Sequence, residues 1–592
     1  MKTNRVIKIF LASSEELEAD RYRFGNLIRK LDNIYEKRGI RIELFEWEDY
    51  DAAYNGMRKQ DEYNERVRAS DMFLALFHKK AGKFTIEEFN IARKAFDEQA
   101  SPKIYTYIKD LEAGESESRE LAEFKRLMLE ELGHYWCRYS NFDTMQLHFV
   151  LQLQMVEATT PIKVEVKESQ VKIGDSTIAD LNNVPFTSEN ATHRELQSRK
   201  EQLDREIGNA ESGGRRGFFG QRSRMTDEEL ANLREERESV TEQIERQEKA
   251  LVDTAMSIAR MQGGECSPRM RTAAELFEKG EIDKAEAVLK EDDMEADATN
   301  AKLKFDTAAQ PTAELTRNIE RCAGEYMLKA RIVVSGIADE SRYRQAVKLM
   351  STAIDLVSGR LPEETLAEYL FDYAVLLTDT GQQTKALETW ERLSGIYERL
   401  YRKAPQKYAY GYAGVLNNMA VLYSDKGDFD HCLSKYLKAI DIYDWLDREE
   451  PGIYDDDIAR LKNNLGTLYS DRDEYNKALS EFNEAARIRF ELLAKDNDPD
   501  SRSALADIYC NMATALQFSD HPRSSAIHSP SARHTRRAGQ GVSENIRVQT
   551  VLDFKSGRLD LYTARPTRQG GRILAKIPTI GYESRLPHAI GS

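Results

Sequence analysis

The fold of this chain is decided by a stretch that recurs along it, Asn417-Asn-Met-Ala-Val-Leu-Tyr-Ser-Asp-Lys-Gly427. Its opening returns as Asn463-Asn-Leu-Gly466 and as Asn511-Met-Ala513. Aligning these copies places a small residue at the same point of each, at spacings of 46, 46 and 47 residues: Ala374, Ala420, Gly466 and Ala513. Residues 268–518 therefore contain an internal repeat, which is strongest from residue 366 onward.

Other residue types keep the same register. Seven residues after the first three small positions lie residues that form turns: Gly381, Gly427 and Asp473. Twelve residues after them come small residues, and four further on come aromatics: Ala386, Cys432 and Ala478, then Trp390, Tyr436 and Phe482. This pattern resembles the tetratricopeptide repeat, although its period exceeds the usual length of about 34 residues. The resemblance implies stacked helix pairs that form a superhelix, with a concave groove for a protein or peptide ligand.

Length and composition restrict the class of protein. The chain has 592 residues, of which 41% are hydrophobic and 32% charged, so several domains are expected. A formal net charge of −15 argues against nucleic acid as a partner, because Lys and Arg dominate phosphate binding. No apolar run approaches the roughly 18 residues of a spanning helix, so we expect no membrane contact and a cytoplasmic location. The five cysteines lie far apart, and we expect neither a disulfide framework nor a metal site.

Residues 1–157 have the pattern of an α/β domain. Short apolar runs predict strands at residues 6–11, 40–46, 71–77 and 103–108. Helical patterns at residues 15–37, 60–69 and 85–99 separate them, and two more, at 117–133 and 141–158, follow. Buried strands that alternate with helices are typical of a parallel sheet. The sequence therefore predicts a flavodoxin-like three-layer sandwich.

Three further segments complete the domain organisation. Residues 158–186 are a connector with a predicted β-hairpin, and residues 187–262 carry leucine and isoleucine at heptad-like spacing, which predicts an antiparallel helical hairpin or coiled coil. In residues 521–592 twelve Lys and Arg face four Asp and Glu, inside a chain that is otherwise acidic. We expect this basic tail to be disordered; such an abrupt change is typical of a shifted reading frame, and a genuine basic tail is the alternative.

The ends of the predicted strands carry a second set of motifs. Ile9-Phe-Leu-Ala-Ser-Ser-Glu15, with a downstream Asp20-Arg21, and Thr85-Ile-Glu-Glu-Phe-Asn-Ile-Ala92 together resemble a bacterial Toll/interleukin-1-receptor-like domain, over about 110 residues. The resemblance implies cleavage of an N-glycosidic bond, with NAD as a substrate and no bound cofactor. A carboxylate suits this chemistry because it stabilises an oxocarbenium-like transition state. Matching the motif makes Glu88 the candidate catalytic group and Glu87 its alternate.

Four other residues are candidates for holding the nucleotide. Ser13 and Ser14 offer hydroxyl and backbone N–H groups at a helix start, Trp47 offers a ring for a base, and Thr85 belongs to the motif of Glu88. A structural alternative exists, since Thr85-x-x-Glu88 also has the spacing of a capping box.

Two functions follow from these patterns. The first is a signalling or defence effector that cleaves NAD or a related nucleotide while its repeats bind a protein trigger. The second is a non-enzymatic scaffold in which the α/β domain forms homo-oligomers and the repeats recruit clients. The paired asparagines of the repeats, such as Asn417 and Asn463, fit either peptide binding or hydrogen bonds between helices.

Overall fold

A computed structural model provides the structure of this chain. It describes residues 5–36, 39–46, 59–112, 114–131, 136–156, 164–173, 176–212, 226–261, 266–336, 339–495 and 499–519, and three strands between residues 547 and 576. These residues belong to two compact units, one ending at Tyr408 and the other beginning at Ala409.

The first unit opens with a five-stranded parallel sheet. The strands are β1 (Arg5–Ser13), β2 (Ile40–Phe45), β3 (Met72–Phe77), β4 (Lys103–Lys109) and β5 (Trp136–Tyr139). Their order in the sheet is β2-β1-β3-β4-β5, and every neighbouring pair is parallel. Four of these strands and the flavodoxin-like architecture are as predicted from sequence, whereas β5 was not. With only four residues, one of them the charged Arg138, β5 gives a weak strand signal.

Helices cover both faces of the sheet. They are α1 (Glu18–Glu36), α2 (Lys59–Arg68), α3 (Lys83–Gln99), α4 (Arg119–Arg126), which continues into a π-helical turn (Leu127–Glu131), and α5 (Phe142–Val156). All six residues of the central strand β3 are fully buried, as a strand covered on both sides requires.

The connector is more elaborate than the predicted hairpin. It contains a three-stranded antiparallel sheet of β6 (Glu165–Lys167), β7 (Gln170–Ile173) and β8 (Ser176–Asp180). A short helix, α6 (Pro185–Ser188), follows. The sequence analysis missed β8 because the run Ser-Thr-Ile-Ala-Asp holds only one β-branched apolar residue, Ile178.

A long helical hairpin follows, as predicted, formed by α7 (Ala191–Ser212) and α8 (Asp227–Met261). The helices run antiparallel, since His193 pairs with Glu248 near one end and Glu211 with Arg234 near the other. Leu203, Val240 and Ile244 form the seam, with Leu196 and Leu233 beside them. A capping box opens α8: the Thr226 N–H donates to Glu229 Oε2 (2.7 Å), and the Glu229 N–H donates to Thr226 Oγ1 (3.2 Å).

The second half of α8 leaves this seam and lies against the rest of the unit. The Gln152 side chain of α5 donates to the carbonyl of Ala259 on α8 (2.9 Å). On the repeat side, Gln247 of α8 donates to the Ser335 carbonyl (3.4 Å). Leu251, which the heptad pattern places in the hairpin, is fully buried in this part of α8. The helix therefore joins the α/β domain to the repeats.

The repeats of the first unit are a series of helices packed pairwise. They are α9 (Pro268–Glu278), α10 (Ile282–Val288), α11 (Glu291–Thr307), α12 (Ala313–Ser335), α13 (Glu340–Val357), α14 (Glu363–Asp379) and α15 (Gln383–Lys403). The predicted aromatic of α15, Trp390, is 1% exposed, and its indole N–H donates to Thr378 Oγ1 of α14 (3.1 Å). The turn between α14 and α15 has Gly381 at φ +69°.

The second unit continues the same pattern. Its helices are α16 (Pro405–Asp425), which begins before the boundary, α17 (Phe429–Glu449), α18 (Asp455–Asp471), α19 (Tyr475–Lys495) and α20 (Pro499–Ser519). The two predicted turn residues, Gly427 and Asp473, have φ values of +73° and +60°. A Cβ atom built on Gly466 would lie 2.6 Å from the ring of Phe482, which shows why the repeat keeps a small residue there. The helix pairs have the architecture expected of tetratricopeptide-like repeats.

One expectation about the last helix is wrong. From the sequence, Pro522 and Pro530 prevent a normal helix after α20, which predicts that its apolar face is left exposed: Leu505, Ile508, Tyr509, Met512 and Leu516. Instead Leu505, Ile508 and Met512 are buried against α19, together with Phe482. Helix α19 covers the face of α20 that a following repeat would otherwise cover.

Part of the basic tail is described. Its strands are β9 (Arg547–Asp553), β10 (Arg558–Pro566) and β11 (Arg572–Lys576), which pair antiparallel in the order β11-β10-β9. The other residues of 521–592 lie outside the described part of the chain. A largely unstructured tail therefore stays a prediction for them, with three short strands as the exception.

Candidate functional site

A cleft of about 470 Å³ lies where β1 and β3 end. Its lining residues come from the loop after β1 and from the start of α3: Ser13, Ser14, Glu16, Lys80, Gly82, Lys83, Phe84 and Thr85. In the strand order of this sheet, β1 and β3 flank the point where the chain changes direction across the sheet. Ligands of open α/β sheets bind at the carboxyl ends of the strands at such a point.

The loop after β1 is held by buried and backbone partners. The guanidinium of Arg21, which is 3% exposed, donates to Ser13 Oγ (2.8 Å) and to the Ser14 carbonyl (3.0 Å). The carboxylate of Glu16 accepts the N–H of Lys79 (3.0 Å), so the loop after β1 is fastened to the loop after β3. These contacts fix the backbone of the cleft.

A buried carboxylate ties the same edge together. Asp20, next to Arg21, accepts from Lys109 Nζ (2.9 Å) at the end of β4 and from the Tyr139 hydroxyl (3.1 Å) at the end of β5. Burial, and then the charge of Asp20, raise the pKa of Tyr139, which keeps its proton for this bond. One short segment of α1 thus contacts three strand ends.

Helix α3 begins earlier than the sequence suggests. Its N-cap residue is Gly82, no side chain caps it, and Thr85 is the third residue of the helix. Thr85 and Glu88 therefore lie one turn apart inside the helix and do not form the capping box considered above. Both side chains are on the buried side of α3, with Thr85 4% and Glu88 8% exposed.

The other predicted site residues have different surroundings. Glu87 accepts a hydrogen bond from the buried amide of Asn64 on α2 (3.3 Å). Trp47 lies outside the described residues. The structure thus brings Ser13, Ser14 and Thr85 into one cleft, and places Glu88 one helical turn from Thr85.

The sequence analysis overlooked the cationic side of this cleft. Lys80 and Lys83 line it. The first turn of α3 also borders the cleft, and its backbone N–H groups form the positive end of the helix dipole. The neighbouring Lys79 pairs with Glu115, a hydrogen bond that raises the pKa of Lys79 and lowers that of Glu115. The run His78-Lys79-Lys80 directly after an apolar strand was the available signal. The cleft can receive an anionic group such as a phosphate.

The asparagines of the repeats hydrogen bond to one another. Asn511 of α20 donates to Asn463 Oδ1 of α18 (3.1 Å), which joins two helices. Asn417 donates to its neighbour Asn418 (3.4 Å) and is itself 6% exposed. For Asn463 and Asn511, the interpretation of the asparagines as hydrogen-bond partners between helices is therefore confirmed.

Neither a cluster of metal ligands nor a membrane-spanning helix is found in the described part of the chain. No group of three or more His, Cys, Asp or Glu side chains there could hold a metal ion. Among the described helices, none combines the length and the apolar character needed to cross a bilayer.

Comparisons with known proteins concern the fold alone. No protein-family model matches this chain, and no curated protein matches it in sequence. Among solved structures, BtubC from P. vanneervenii is similar at 20% identity, over 44% of this chain and 98% of that one, with a TM-score of 0.28. The apo form of RapI matches at 16% identity, over 59% and 82%, with a TM-score of 0.29.

A third solved structure spans more of the chain. It is a signal transduction ATPase with numerous domains and a tetratricopeptide repeat sensor, from Pyrococcus horikoshii. It matches at 11% identity, over 87% of this chain and 93% of its own, with a TM-score of 0.26. All three TM-scores are low. The helical-repeat architecture therefore rests on the helix pairs of this chain itself.

Proposed function

We propose that this protein is an effector in which the α/β domain cleaves NAD or a related nucleotide and the repeats bind a protein or peptide. The observation that carries the proposal is the position of Glu88. It is a nearly buried carboxylate one helical turn from Thr85, and Thr85 lines the cleft between the ends of β1 and β3. The resemblance to Toll/interleukin-1-receptor-like domains supplies the reaction, and the cleft supplies room for the substrate.

The cleft suggests a division of labour. Lys80, Lys83 and the first turn of α3 would neutralise phosphate groups. The Ser14 hydroxyl donates to Glu16 Oε1 (3.3 Å), so its oxygen would accept from a ribose hydroxyl. Ser13 Oγ accepts from Arg21, which leaves its O–H to donate to a phosphate oxygen. Glu88 would face the anomeric carbon and stabilise the positive charge that develops when the bond to nicotinamide breaks.

A partner for the repeats follows from their architecture. Each helix pair leaves part of its surface to its neighbours, and stacked pairs expose a groove longer than any pocket in a single repeat. We propose a protein or peptide segment as the ligand of this groove and the cytoplasm as the location, with neither nucleic acid nor membrane as a partner.

One assay separates this proposal from its alternative, a scaffold without enzymatic activity that assembles through the α/β domain. The purified full chain is incubated with NAD, and free nicotinamide is measured by chromatography. Time-dependent release of nicotinamide in proportion to protein is the expected result. The absence of release, with and without a bound protein partner, would leave the scaffold as the function.

A further inference from the structure

A second pocket lies at the other half of the same sheet edge, where the α/β domain meets the first repeat. Its volume is about 230 Å³. One wall comes from the ends of β4 and β5 and the start of α5, and the opposite wall from α6 and α9: Asp110, Trp136, Arg138, Ser140 and Thr144, then Pro185, Glu275, Glu278 and Lys279. None of these residues belongs to the cleft proposed for the nucleotide.

The helices α6 and α9 pack tightly against each other within their wall, and Asn183, just before α6, donates to Asp143 Oδ2 of α5 (2.8 Å) in the other wall. The rings of Phe186 on α6 and Phe277 on α9 stack with their centroids 5.5 Å apart. Gly280, just after α9, has φ +78°, and a Cβ atom there would lie 2.5 Å from the carbonyl oxygen of Pro185. Only glycine allows this approach between the repeat and the connector. The pocket is thus part of a preformed junction.

The charges of the pocket are negative on balance. Arg138 pairs with Asp110 at 2.6 Å, so these two charges compensate each other. The α9 wall adds two carboxylates, Glu275 and Glu278, against one ammonium group, Lys279. The negative field reaches Cys137 on β5, because burial, and then the charges of Glu278 and Asp110, raise the pKa of its thiol.

The β5 wall adds an aromatic ring and two hydroxyl groups. Trp136 packs partly against the hydrophobic core of the sheet and also lines the pocket. The Ser140 hydroxyl accepts from Asn141 Nδ2 (3.3 Å), which leaves its O–H to donate to a ligand. The Thr144 hydroxyl donates to Asn141 Oδ1 (3.2 Å), which leaves its oxygen to accept.

We propose that this pocket binds a small organic cation carrying a hydroxyl or amino group. An indole face attracts a positive charge through its quadrupole, and carboxylates on the opposite wall add to that attraction. Ser140 and Thr144 would then bind the polar end of the ligand. Since α9 forms one wall and the sheet the other, the ligand would bridge the repeats and the α/β domain. The proposal does not depend on cleavage of NAD.

Choline and its neutral carbon analogue 3,3-dimethyl-1-butanol test the proposal, because they share a shape and differ in charge. Titration calorimetry with the full chain is expected to show choline binding at least about tenfold more tightly than the alcohol. Choline is also expected to change the fluorescence of Trp136, as the difference from Trp136→Phe shows. Equal binding of the two probes, or no binding of choline, would overturn the proposal.

Charge variants on α9 make the test specific to this pocket. The double variant Glu275→Gln with Glu278→Gln should weaken choline binding about tenfold, whereas Glu281→Gln, whose carboxylate pairs with Lys284 outside the pocket, should not change it. Lys279→Gln removes the opposing positive charge and should tighten binding severalfold. Because Lys279 is exposed, its substitution should leave the fold intact. The test therefore remains decisive even if the double variant unfolds. Unchanged affinity in Lys279→Gln would contradict the assignment.

Discussion

At the scale of single residues, the contact between Gly466 and Phe482 shows how the repeat specifies its packing. The ring occupies the space of a missing side chain on α18, with its nearest carbon 2.6 Å from where a Cβ atom would be. Larger residues at such a point force a buried ring or a helix to move. A close contact between helices therefore explains the small residue in the sequence pattern.

We predict that Gly466→Ala lowers the free energy of unfolding by about 1–3 kcal/mol in urea denaturation, because the new methyl group overlaps the Phe482 ring. The matched control is Gly414→Ala in α16, where a Cβ atom meets nothing within 4 Å. That change should raise stability by about 0.5–1 kcal/mol through helix propensity. Adding Phe482→Leu to Gly466→Ala should recover part of the loss. Similar effects of the two alanines would contradict the role given to Phe482.

Glu87 and Glu88 are neighbours with different surroundings, which makes them a matched pair. We predict that Glu88→Gln abolishes nicotinamide release, since it removes the charge that would stabilise the transition state. The amide keeps the volume of the side chain, so the loss of stability should stay under about 1 kcal/mol. Glu87→Gln should keep most of the activity, because Glu87 accepts from Asn64 on α2. Wild-type turnover in Glu88→Gln, with loss in Glu87→Gln, would transfer the role to Glu87.

At the scale of elements, α8 has two environments along its length. Its first half meets α7 through a narrow seam, Leu203 against Val240 and Ile244, flanked by exposed ion pairs such as that of Arg199 with Glu236. Exposed pairs contribute little to stability. The hairpin therefore depends on a few apolar contacts, while the second half of α8 is fixed by α5 and α12.

We predict that Leu203→Ala loosens the hairpin without unfolding the protein. Leu203 is fully buried, and its truncation should cost about 2–5 kcal/mol of local stability. Hydrogen exchange should become faster in α7 and in the first half of α8, and remain unchanged in α12 and α18. Glu242→Ala, at an exposed position of α8, is the control and should leave exchange unaltered. Faster exchange throughout α12 would show that the hairpin and the repeats unfold together.

The elements also show what could be predicted from the sequence. Strands β1 to β4 were predicted because β-branched, aromatic or other apolar residues recur along each of them. β3 is buried throughout, whereas β2 alternates buried and exposed residues. The strand β5 and the third strand of the connector, β8, are short and mixed in polarity, so local composition says little about them. Their positions are set by strand pairing, of β5 with β4 and of β8 with β7, which local composition does not show.

The candidate site could be predicted only in part, for a related reason. Motifs placed Ser13, Ser14, Thr85 and Glu88 at strand ends that meet across the sheet. The roles of Arg21 and Asp20, which hold that edge through contacts with Ser13, Lys109 and Tyr139, depend on three-dimensional proximity that spacing in sequence does not show. The same holds for the pocket between β5 and α9, whose walls are more than a hundred residues apart.

At the scale of the whole molecule, the first compact unit includes both the α/β domain and the first repeats. Helix α8 hydrogen bonds to α5 on one side and to α12 on the other. A ligand of these repeats would therefore act on a surface already fastened to the sheet. Binding and any catalysis are best measured in the full chain for this reason.

The last helix pair leads to the final prediction, that removing residues 520–592 leaves the fold intact. The core between α19 and α20 closes without them, since Leu505, Ile508 and Met512 pack against Phe482 and its neighbours. A chain ending at Ser519 should differ from the full chain by less than about 1 kcal/mol in urea denaturation. In the full chain, we expect the amides of β9, β10 and β11 to exchange quickly, because a sheet of only three strands has little stability of its own unless a hydrophobic face is covered. Slow exchange from residue 547 to 576, together with a large loss of stability on truncation, would instead make this segment a structural part of the second unit.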